Sequence, residues 1–325
     1  MLVKFAVDPA ALDTRNIEHS LAVALHRRVI ESWREVGIFV HAGARLKESP
    51  FLEHVDKLPV ALKSLWINAL KANKRVACPI DWDGDFGNTP DSQLDVLARI
   101  DLALLESAKV TCYTDIDDGE HGVCVPALGN VELCRFHSVE QSIRLNQART
   151  TQNTSLLKNS NNADEWGKRY SAWLRICDNV VVVDRYGVQD YLRSFHNGEK
   201  PGLTRMLDTV YARGKEAPAN VTLFVGDPKV TGDISTFIAE LRKFCGDGIR
   251  EIALFLVDDR VFREHGHHRY MRCDYAVFGI DRGIGAFSGI LAQANCVLWR
   301  RDRATDSVFE KTETALRLNG SKYQL

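Results

Sequence analysis

Residues 179–187 read NVVVVDRYG, and this stretch decides the fold class. Four consecutive valines between polar neighbours are typical of a strand that is buried on both faces of a sheet. A helical pattern, VQDYLRSF, follows it, and a second apolar strand, NVTLFV, occupies residues 220–225. Because a strand, a helix and another strand follow in this order, the C-terminal half is predicted to be α/β, with a mostly parallel sheet and helices over its faces.

The same patterns predict the other elements of the chain. In the C-terminal half these are a helix over 234–246 and strands at 250–258, 268–274 and 275–280. In the N-terminal half they are strands at 2–7, 75–80 and 110–115, strand pieces within 123–136, and helices over 17–36, 58–73 and 92–108. The first of these helices is predicted to be capped by Asn16 and to end at Gly37.

The polar segment 146–162 is predicted to be a loop or the domain boundary, or, in its first part, the extension of a helix that begins near Ser138. We therefore expect two domains, 1–150 and 170–325. The expected fold class is α/β, with a mixed sheet that has helices on both faces.

Composition excludes several classes of protein. The 325 residues are 45% hydrophobic and carry a formal charge of −1, so a nucleic acid or an anionic membrane would have to be recognised by a local patch. The eight cysteines form no C-x-x-C pair, which argues against a zinc ribbon and favours a reducing cytosol. With no signal-peptide pattern and no apolar window of membrane-spanning length, we expect a cytoplasmic protein with no membrane partner.

The stretch HGHHRYMRCDYAVFGIDRGIGAF, at 265–287, carries the densest chemistry. A metal site is one interpretation, but alternation along a strand puts neighbouring residues on opposite faces, so at most two of the three histidines could converge. A dinucleotide-binding loop is another. The glycines from Gly283 onward, however, do not have the G-x-G-x-x-G spacing.

A third interpretation accounts for more of these residues. The pattern His267-x-Arg269-x4-Asp274, followed by the glycine-containing DRGIGAF, resembles the HxKxxxxD signature of the phospholipase D superfamily, with arginine in place of lysine. It is also similar to the divergent phospholipase D-like domains that carry an H-D-R motif. The resemblance covers roughly residues 175–325 and implies a phospholipase D-like C-terminal domain after an α/β N-terminal domain of uncertain role.

The resemblance implies phosphodiester hydrolysis without metal or cofactor. His267 would be the nucleophile or general acid, Arg269 would hold the non-bridging oxygens, and Asp274 would orient or stabilise the imidazole. Arg282 and Arg185 are further candidates for phosphate binding, the latter because DRY at 184–186 ends a strand where ligand sites of α/β sheets gather. Since the family needs two histidines and only one motif is present, a homodimer would share the site, or the site binds without cutting.

The resemblance leaves the substrate open, and nucleic acid, DNA or RNA, is the expected partner. Similar domains in bacteria accompany antiphage defence, which by analogy implies a partner protein of a defence system. A binding or sensor module is the alternative function; it would use Arg269 and the basic cluster WRRDR at 299–303. In a purely structural alternative, the histidines and arginines of HHRY face solvent or pair with Asp258, Asp259 or Asp274.

The N-terminal half offers a different alternative. Acidic residues near strand ends could hold Mg²⁺ for hydrolysis, as in nucleases that resemble PIN domains. The candidate ligands are Asp8, Asp101, Asp115 and Glu132. The acidic turn DWDGD at 81–85 resembles the start of an EF-hand loop, but its glycine stands at the fourth position where the sixth is required, which favours a solvated turn.

Overall fold

The computed structural model describes residues 2–78, 82–86, 94–107, 109, 123–124, 131–157, 160–215, 217–227, 231–266, 268–274, 276–288, 296–300 and 306–325. The chain divides into two compact units, Leu2–Thr150 and a C-terminal unit that begins at Thr151 and ends at Leu325. Each unit contains its own sheet with helices, so the α/β class predicted from the sequence is confirmed.

The described part of the N-terminal unit contains a six-stranded sheet with the order β3-β2-β1-β4-β6-β5. Its strands are β1 (Val3–Val7), β2 (Gly37–His41), β3 (Arg75–Ala77), β4 (Leu102–Leu105), β5 (Val123–Cys124) and β6 (Glu132–Arg135). Its helices are α1 (His19–Val36), α2 (Pro50–Lys57), α3 (Val60–Ala72), α4 (Leu94–Leu97) and α5 (Ile143–Asn153), the last of which spans the boundary between the units.

All neighbouring strands of this sheet are parallel except β5 and β6. From β1 the chain proceeds outward to β2 and β3, then returns to the other side of β1 as β4. This reversal makes the carboxyl ends of β1 and β4 the switch point at which open α/β sheets usually bind ligands.

Three parts of the N-terminal pattern were predicted wrongly. Helix α1 begins at His19 and is capped by Glu18, whose side chain accepts the Ser20 N–H, and not by Asn16. The helix expected over 92–108 is instead a short helix, Leu94–Leu97, followed by the strand Leu102–Leu105. The four residues of that strand are all buried in the sheet, and a short run rich in leucine does not distinguish a strand from a helix by its period. The strand Gly37–His41 was missed because it begins directly at the glycine expected only to end the helix.

The described part of the C-terminal unit contains a seven-stranded sheet with the order β12-β11-β10-β7-β8-β9-β13. Its strands are β7 (Asn179–Asp184), β8 (Ala219–Gly226), β9 (Ile249–Val257), β10 (Tyr270–Cys273), β11 (Ala276–Ile280), β12 (Cys296–Arg300) and β13 (Gly320–Gln324). Its helices are α6 (Asn162–Trp166), α7 (Ala172–Leu174), α8 (Gly187–His196), α9 (Gly202–Tyr211), α10 (Thr231–Arg242), α11 (Asp259–His265) and α12 (Asp306–Asn319).

This sheet is mixed, as predicted, but it is not mostly parallel, as the order of strand, helix and strand had suggested, because four of its six described strand pairs are antiparallel. Strands β7, β8 and β9 are parallel, whereas β10 to β13 pair antiparallel with their neighbours. The valine strand β7 lies at the centre, with Val180 to Val183 buried, because an interior strand is covered on both faces. The sequence patterns did not reveal α9, α12, β12 or β13.

Helices cover both faces of the C-terminal sheet. On one face, Phe309 and Leu316 of α12 pack in a cluster with Val181 and Val183 of β7. On the other face, the Trp173 ring packs edge-on against a β11 phenylalanine, with ring centroids 5.7 Å apart. None of the helices in the described part of the chain combines the length and apolar character needed to cross a bilayer.

A buried ion pair joins α12 to the sheet. Two guanidinium nitrogens of Arg272, on β10, donate to the two carboxylate oxygens of Glu313 at 2.7 and 2.6 Å. Each side chain is about one-tenth exposed. The Glu313 carboxylate raises the pKa of Arg272 against the effect of burial, which lowers it. Arg272 therefore has a structural partner and takes no part in the candidate site described next.

Candidate functional site

The central strand β7 ends in Asp184, whose side chain is fully buried. One carboxylate oxygen accepts the Tyr186 N–H at 3.1 Å, and the other accepts the Ile284 N–H at 2.9 Å. Burial raises the pKa of Asp184 to about 7, although the Tyr186 N–H and the charge of Arg269 lower it. Asp184 thus fastens the turn that precedes Ile284 to the carboxyl end of the sheet.

The glycines of DRGIGAF are needed for close approach to two carboxylates. Gly283 has φ +68°, and a Cβ atom placed on it would lie 2.0 Å from Oδ2 of Asp184. A Cβ atom on Gly285 would lie 2.4 Å from Oδ2 of Asp190, on α8. The pattern that resembled a nucleotide-binding loop is therefore explained by packing against aspartates.

Arg269 lies at the same edge of the sheet as Asp184. Strand β10 runs antiparallel to β7 with Tyr270 opposite Val183, so the residue before β10 stands beside the end of β7. The backbone carbonyl of Arg269 accepts the Ile280 N–H at 3.0 Å, and its guanidinium carbon is 5.4 Å from the centroid of the Tyr186 ring. Within the described ranges, no carboxylate forms an ion pair with this half-buried guanidinium.

A shallow depression of about 560 Å³ opens in front of Arg269. The lining residues used here are Tyr186, Asp190, Arg193, Arg269, Arg282 and Gly285. Arg193 forms an ion pair with Asp190, whereas Arg282 is exposed. Of the charged side chains described in the lining, three are arginines and one is an aspartate, so the depression carries net positive charge and suits an anion.

Asp190 is the acidic group in this lining. Burial raises its pKa, while the charges of Arg193 and Arg269 lower it. A carboxyl group with a raised pKa at the wall of a cationic depression can hold a proton closer to neutral pH than an exposed aspartate can. Asp190 could therefore exchange a proton with a bound anion.

Arg185 does not line the described depression. Its Nη2 atom donates to Oδ2 of Asp259 at 2.7 Å, and Arg263 donates to the same carboxylate oxygen at 2.8 Å. These arginines lower the pKa of Asp259. The charge of Arg185 is therefore engaged by α11.

Of the predicted set of His267, Arg269 and Asp274, the last two lie at opposite ends of β10. His267 lies outside the described residues. Asp274 follows β10 at its far end, about 16 Å along the strand from Arg269 at 3.3 Å per residue. Its Oδ1 atom accepts the N–H groups of Asp178 and Asn179 at 3.1 and 3.0 Å. In one chain Asp274 therefore anchors the start of β7 and does not stand beside Arg269.

The predicted magnesium ligands do not converge either. Asp8 follows the carboxyl end of β1, whereas Asp101 and Glu132 stand at the amino ends of β4 and β6. Parallel strands present these two ends at opposite edges of a sheet. Asp101 accepts the Lys4 N–H at 2.8 Å, and Asp115 lies outside the described residues. In the residues that the structure describes, no group of three histidine, cysteine or acidic side chains could hold a metal ion.

Glu132 and Asp8, which lie at opposite edges of the sheet, each have another role. Glu132 is buried, and its carboxylate accepts the N–H groups of Ile143 and Arg144 at 2.8 Å each, which caps the first turn of α5. Asp8 forms an ion pair with Lys109 at 2.9 Å, and burial raises its pKa against that ion pair. The Lys109 ammonium therefore supplies positive charge at the switch point where a cation was predicted.

Sequence reasoning found Arg269 and Arg282, which the structure brings to one depression, but it missed Asp190 and Arg193. Both lie on α8, three residues apart, a spacing that places two side chains on the same helix face. That spacing and the position of α8 directly after a strand end were the available signals. No protein-family model matches the chain, and neither curated proteins nor solved structures include a significant match.

Proposed function

We propose that the C-terminal unit binds a phosphate ester, in particular the phosphodiester backbone of nucleic acid, in the depression around Arg269. The observation that supports this most strongly is the half-buried Arg269 guanidinium, which has a stacking neighbour in Tyr186 and forms no direct ion pair with a described carboxylate. A planar guanidinium of this kind matches two non-bridging phosphate oxygens. Exposed Arg282 adds a second positive charge beside it.

The turn carrying Arg282 supports the same proposal. Because Asp184 accepts the Ile284 N–H and Gly283 fits against it, Arg282 is attached to the sheet edge at a fixed place. A binding site held by rigid elements loses less conformational entropy when the ligand binds. The site therefore needs little rearrangement before a phosphate arrives.

Phosphodiester hydrolysis is the second candidate function, and the raised pKa of Asp190 favours it. In this proposal a His267 ring nitrogen attacks phosphorus, and the bond to the leaving oxygen breaks as that oxygen takes the Asp190 proton. Water then attacks phosphorus, the phosphorus–nitrogen bond breaks, and the water proton returns to the Asp190 carboxylate. Asp190 would then replace the second histidine that the phospholipase D-like resemblance requires.

A binding and cleavage assay separates the two candidates. Labelled single-stranded and duplex DNA and RNA are incubated with the protein in EDTA, and both affinity and strand length are measured. We expect Arg269→Ala to weaken binding about tenfold or more, from the loss of a charged hydrogen-bonding group. The matched control is Arg175→Ala, an exposed arginine before the opposite end of β7. Equal affinity of the Arg269 variant and wild type would contradict the binding proposal.

The same assay decides on hydrolysis. If His267 and Asp190 perform it, His267→Ala and Asp190→Asn abolish cleavage while leaving measurable binding. Cleavage that survives His267→Ala excludes the histidine mechanism, and binding without cleavage in wild type supports a binding module. The homodimer and the defence-system partner stay predictions; sedimentation equilibrium tests the first.

A further inference from the structure

The aromatic ring of Tyr186 forms part of the wall of the depression around Arg269. Tyr186 directly precedes α8, and its backbone N–H donates to the buried Asp184 carboxylate at 3.1 Å. The side chain nevertheless stays 39% exposed, so the ring is accessible to a ligand. The depression therefore combines net positive charge with an accessible aromatic surface.

Two guanidinium groups hold this ring in position. The guanidinium carbons of Arg185 and Arg269 lie 5.2 and 5.4 Å from its centroid. Arg185 is itself fixed, because its Nη2 atom donates to the Asp259 carboxylate at 2.7 Å. A ring that is already held in place loses little conformational entropy when another planar group packs against it.

The hydroxyl group of Tyr186 does not contribute to this placement. In the part of the chain that the structure describes, it forms no hydrogen bond with another residue. The contacts of the side chain are therefore made by its ring, and a phenylalanine at this position would keep them.

The ring and the Arg269 guanidinium are close enough to contact the same nucleotide. With 5.4 Å between the guanidinium carbon and the ring centroid, a phosphate can contact the arginine while the base of that nucleotide packs on the tyrosine. A phosphate contact does not depend on whether the base is paired, whereas stacking on a protein ring does. In a duplex the bases are paired and stacked on one another, and bringing one out costs free energy.

We propose that the depression around Arg269 recognises single-stranded nucleic acid, in which one unpaired base stacks on Tyr186 while neighbouring phosphates contact Arg269 and Arg282. This inference rests on the phosphate binding proposed above and adds the type of strand. Because every base has an aromatic face, the depression selects the strand for its unpaired bases and not for its sequence.

An abasic oligonucleotide tests the proposal on the wild-type protein. Fluorescence anisotropy is measured with a short labelled single strand, as DNA and as RNA, and with a strand of the same length that has the same phosphates but no bases. We expect wild type to bind the intact strands about tenfold more tightly than the abasic strand, from the stacking of one base. Equal affinity for the intact and abasic strands would overturn the proposal.

Variants of Tyr186 assign the preference to its ring. Tyr186→Phe should keep the preference for the intact strand, whereas Tyr186→Leu and Tyr186→Ala should bind both strands with the affinity that wild type has for the abasic one. The matched control is Tyr323→Ala on β13, which is 38% exposed and is not among the described lining residues. It should bind as wild type does, and melting temperatures check that each variant is folded. A preference that survives both Tyr186→Leu and Tyr186→Ala would overturn the role of Tyr186.

Duplex DNA separates stacking from a general loss of affinity. Because its bases are paired, Tyr186→Ala should leave duplex affinity unchanged, and an equal loss for duplex and single strand would contradict the proposal. Arg269→Ala should weaken binding of the intact and abasic strands alike. If it does so while wild type shows no preference for the intact strand, phosphate binding stands and stacking fails. If Arg269→Ala binds both strands as tightly as wild type does, the proposed function itself fails.

Discussion

Replacing Gly283 with alanine should destabilise the C-terminal unit by about 4 kcal/mol. The backbone of Gly283, with φ +68° and ψ −171°, lies in a region that is essentially restricted to glycine, which costs an alanine about 1 kcal/mol or more. The new Cβ atom would also lie 2.0 Å from Oδ2 of Asp184, a fully buried atom that already accepts the Ile284 N–H. Relieving that overlap breaks this hydrogen bond to a buried carboxylate, which costs about 3 kcal/mol.

The control is Gly198→Ala. Gly198 also has a positive φ, +71°, but a Cβ atom there would have no neighbour within 4 Å. Its expected cost is the backbone term alone, about 1 kcal/mol. Urea unfolding followed by circular dichroism gives both free energies. If the two variants lose the same stability, the close packing of the turn on Asp184 is refuted.

Three further predictions concern buried carboxylates. Because burial raises the pKa of Asp184 from 3.8 to about 7, the folded state holds that proton more tightly than the unfolded state. The resulting contribution to the free energy of unfolding, up to about 4 kcal/mol, is fully present below pH 3.8 and is lost as the pH rises through about 7. Asp184→Asn should therefore flatten the dependence of the free energy of unfolding on pH between these two values. An unaltered slope would contradict this. Glu313→Gln should cost about 3 kcal/mol or more in urea unfolding because it leaves the Arg272 charge buried, whereas exposed Glu199→Gln should cost under about 0.5 kcal/mol, and similar losses would rule out a structural ion pair. Glu132→Gln should lower the melting temperature equally in EDTA and in Mg²⁺, because the carboxylate caps a helix. A decrease in melting temperature seen only with Mg²⁺ would restore the metal-ligand hypothesis.

The strands that were predicted well have one property in common, a continuous apolar run ended by a turn residue. The valine run of β7 and the run of β9 could be assigned to strands because their neighbours in the sheet bury both faces. The edge strand β13 could not, because four of its five residues are exposed and carry no apolar pattern. Its pairing with β9 depends on backbone hydrogen bonds, which residue types do not encode.

The candidate site was predictable only in part, for a geometric reason. Arg269 and Arg282 come from different elements, yet both flank β10 and β11 at one edge, so their sequence proximity translated into spatial proximity. Asp274 is closer to Arg269 in sequence than Arg282 is, but a strand carries it to the opposite edge. Asp190 was missed because it comes from a distant helix, and such contacts depend on the tertiary fold.

The salt dependence of nucleic-acid affinity tests the central claim most directly. For wild type and for Arg269→Ala, the logarithm of the association constant with a short DNA or RNA strand is measured against the logarithm of salt concentration. If Arg269 contacts a phosphate, the variant binds more weakly and its slope decreases in magnitude by about one, while Arg175→Ala reproduces the wild-type line. Identical lines for wild type and Arg269→Ala would contradict phosphate binding at this site.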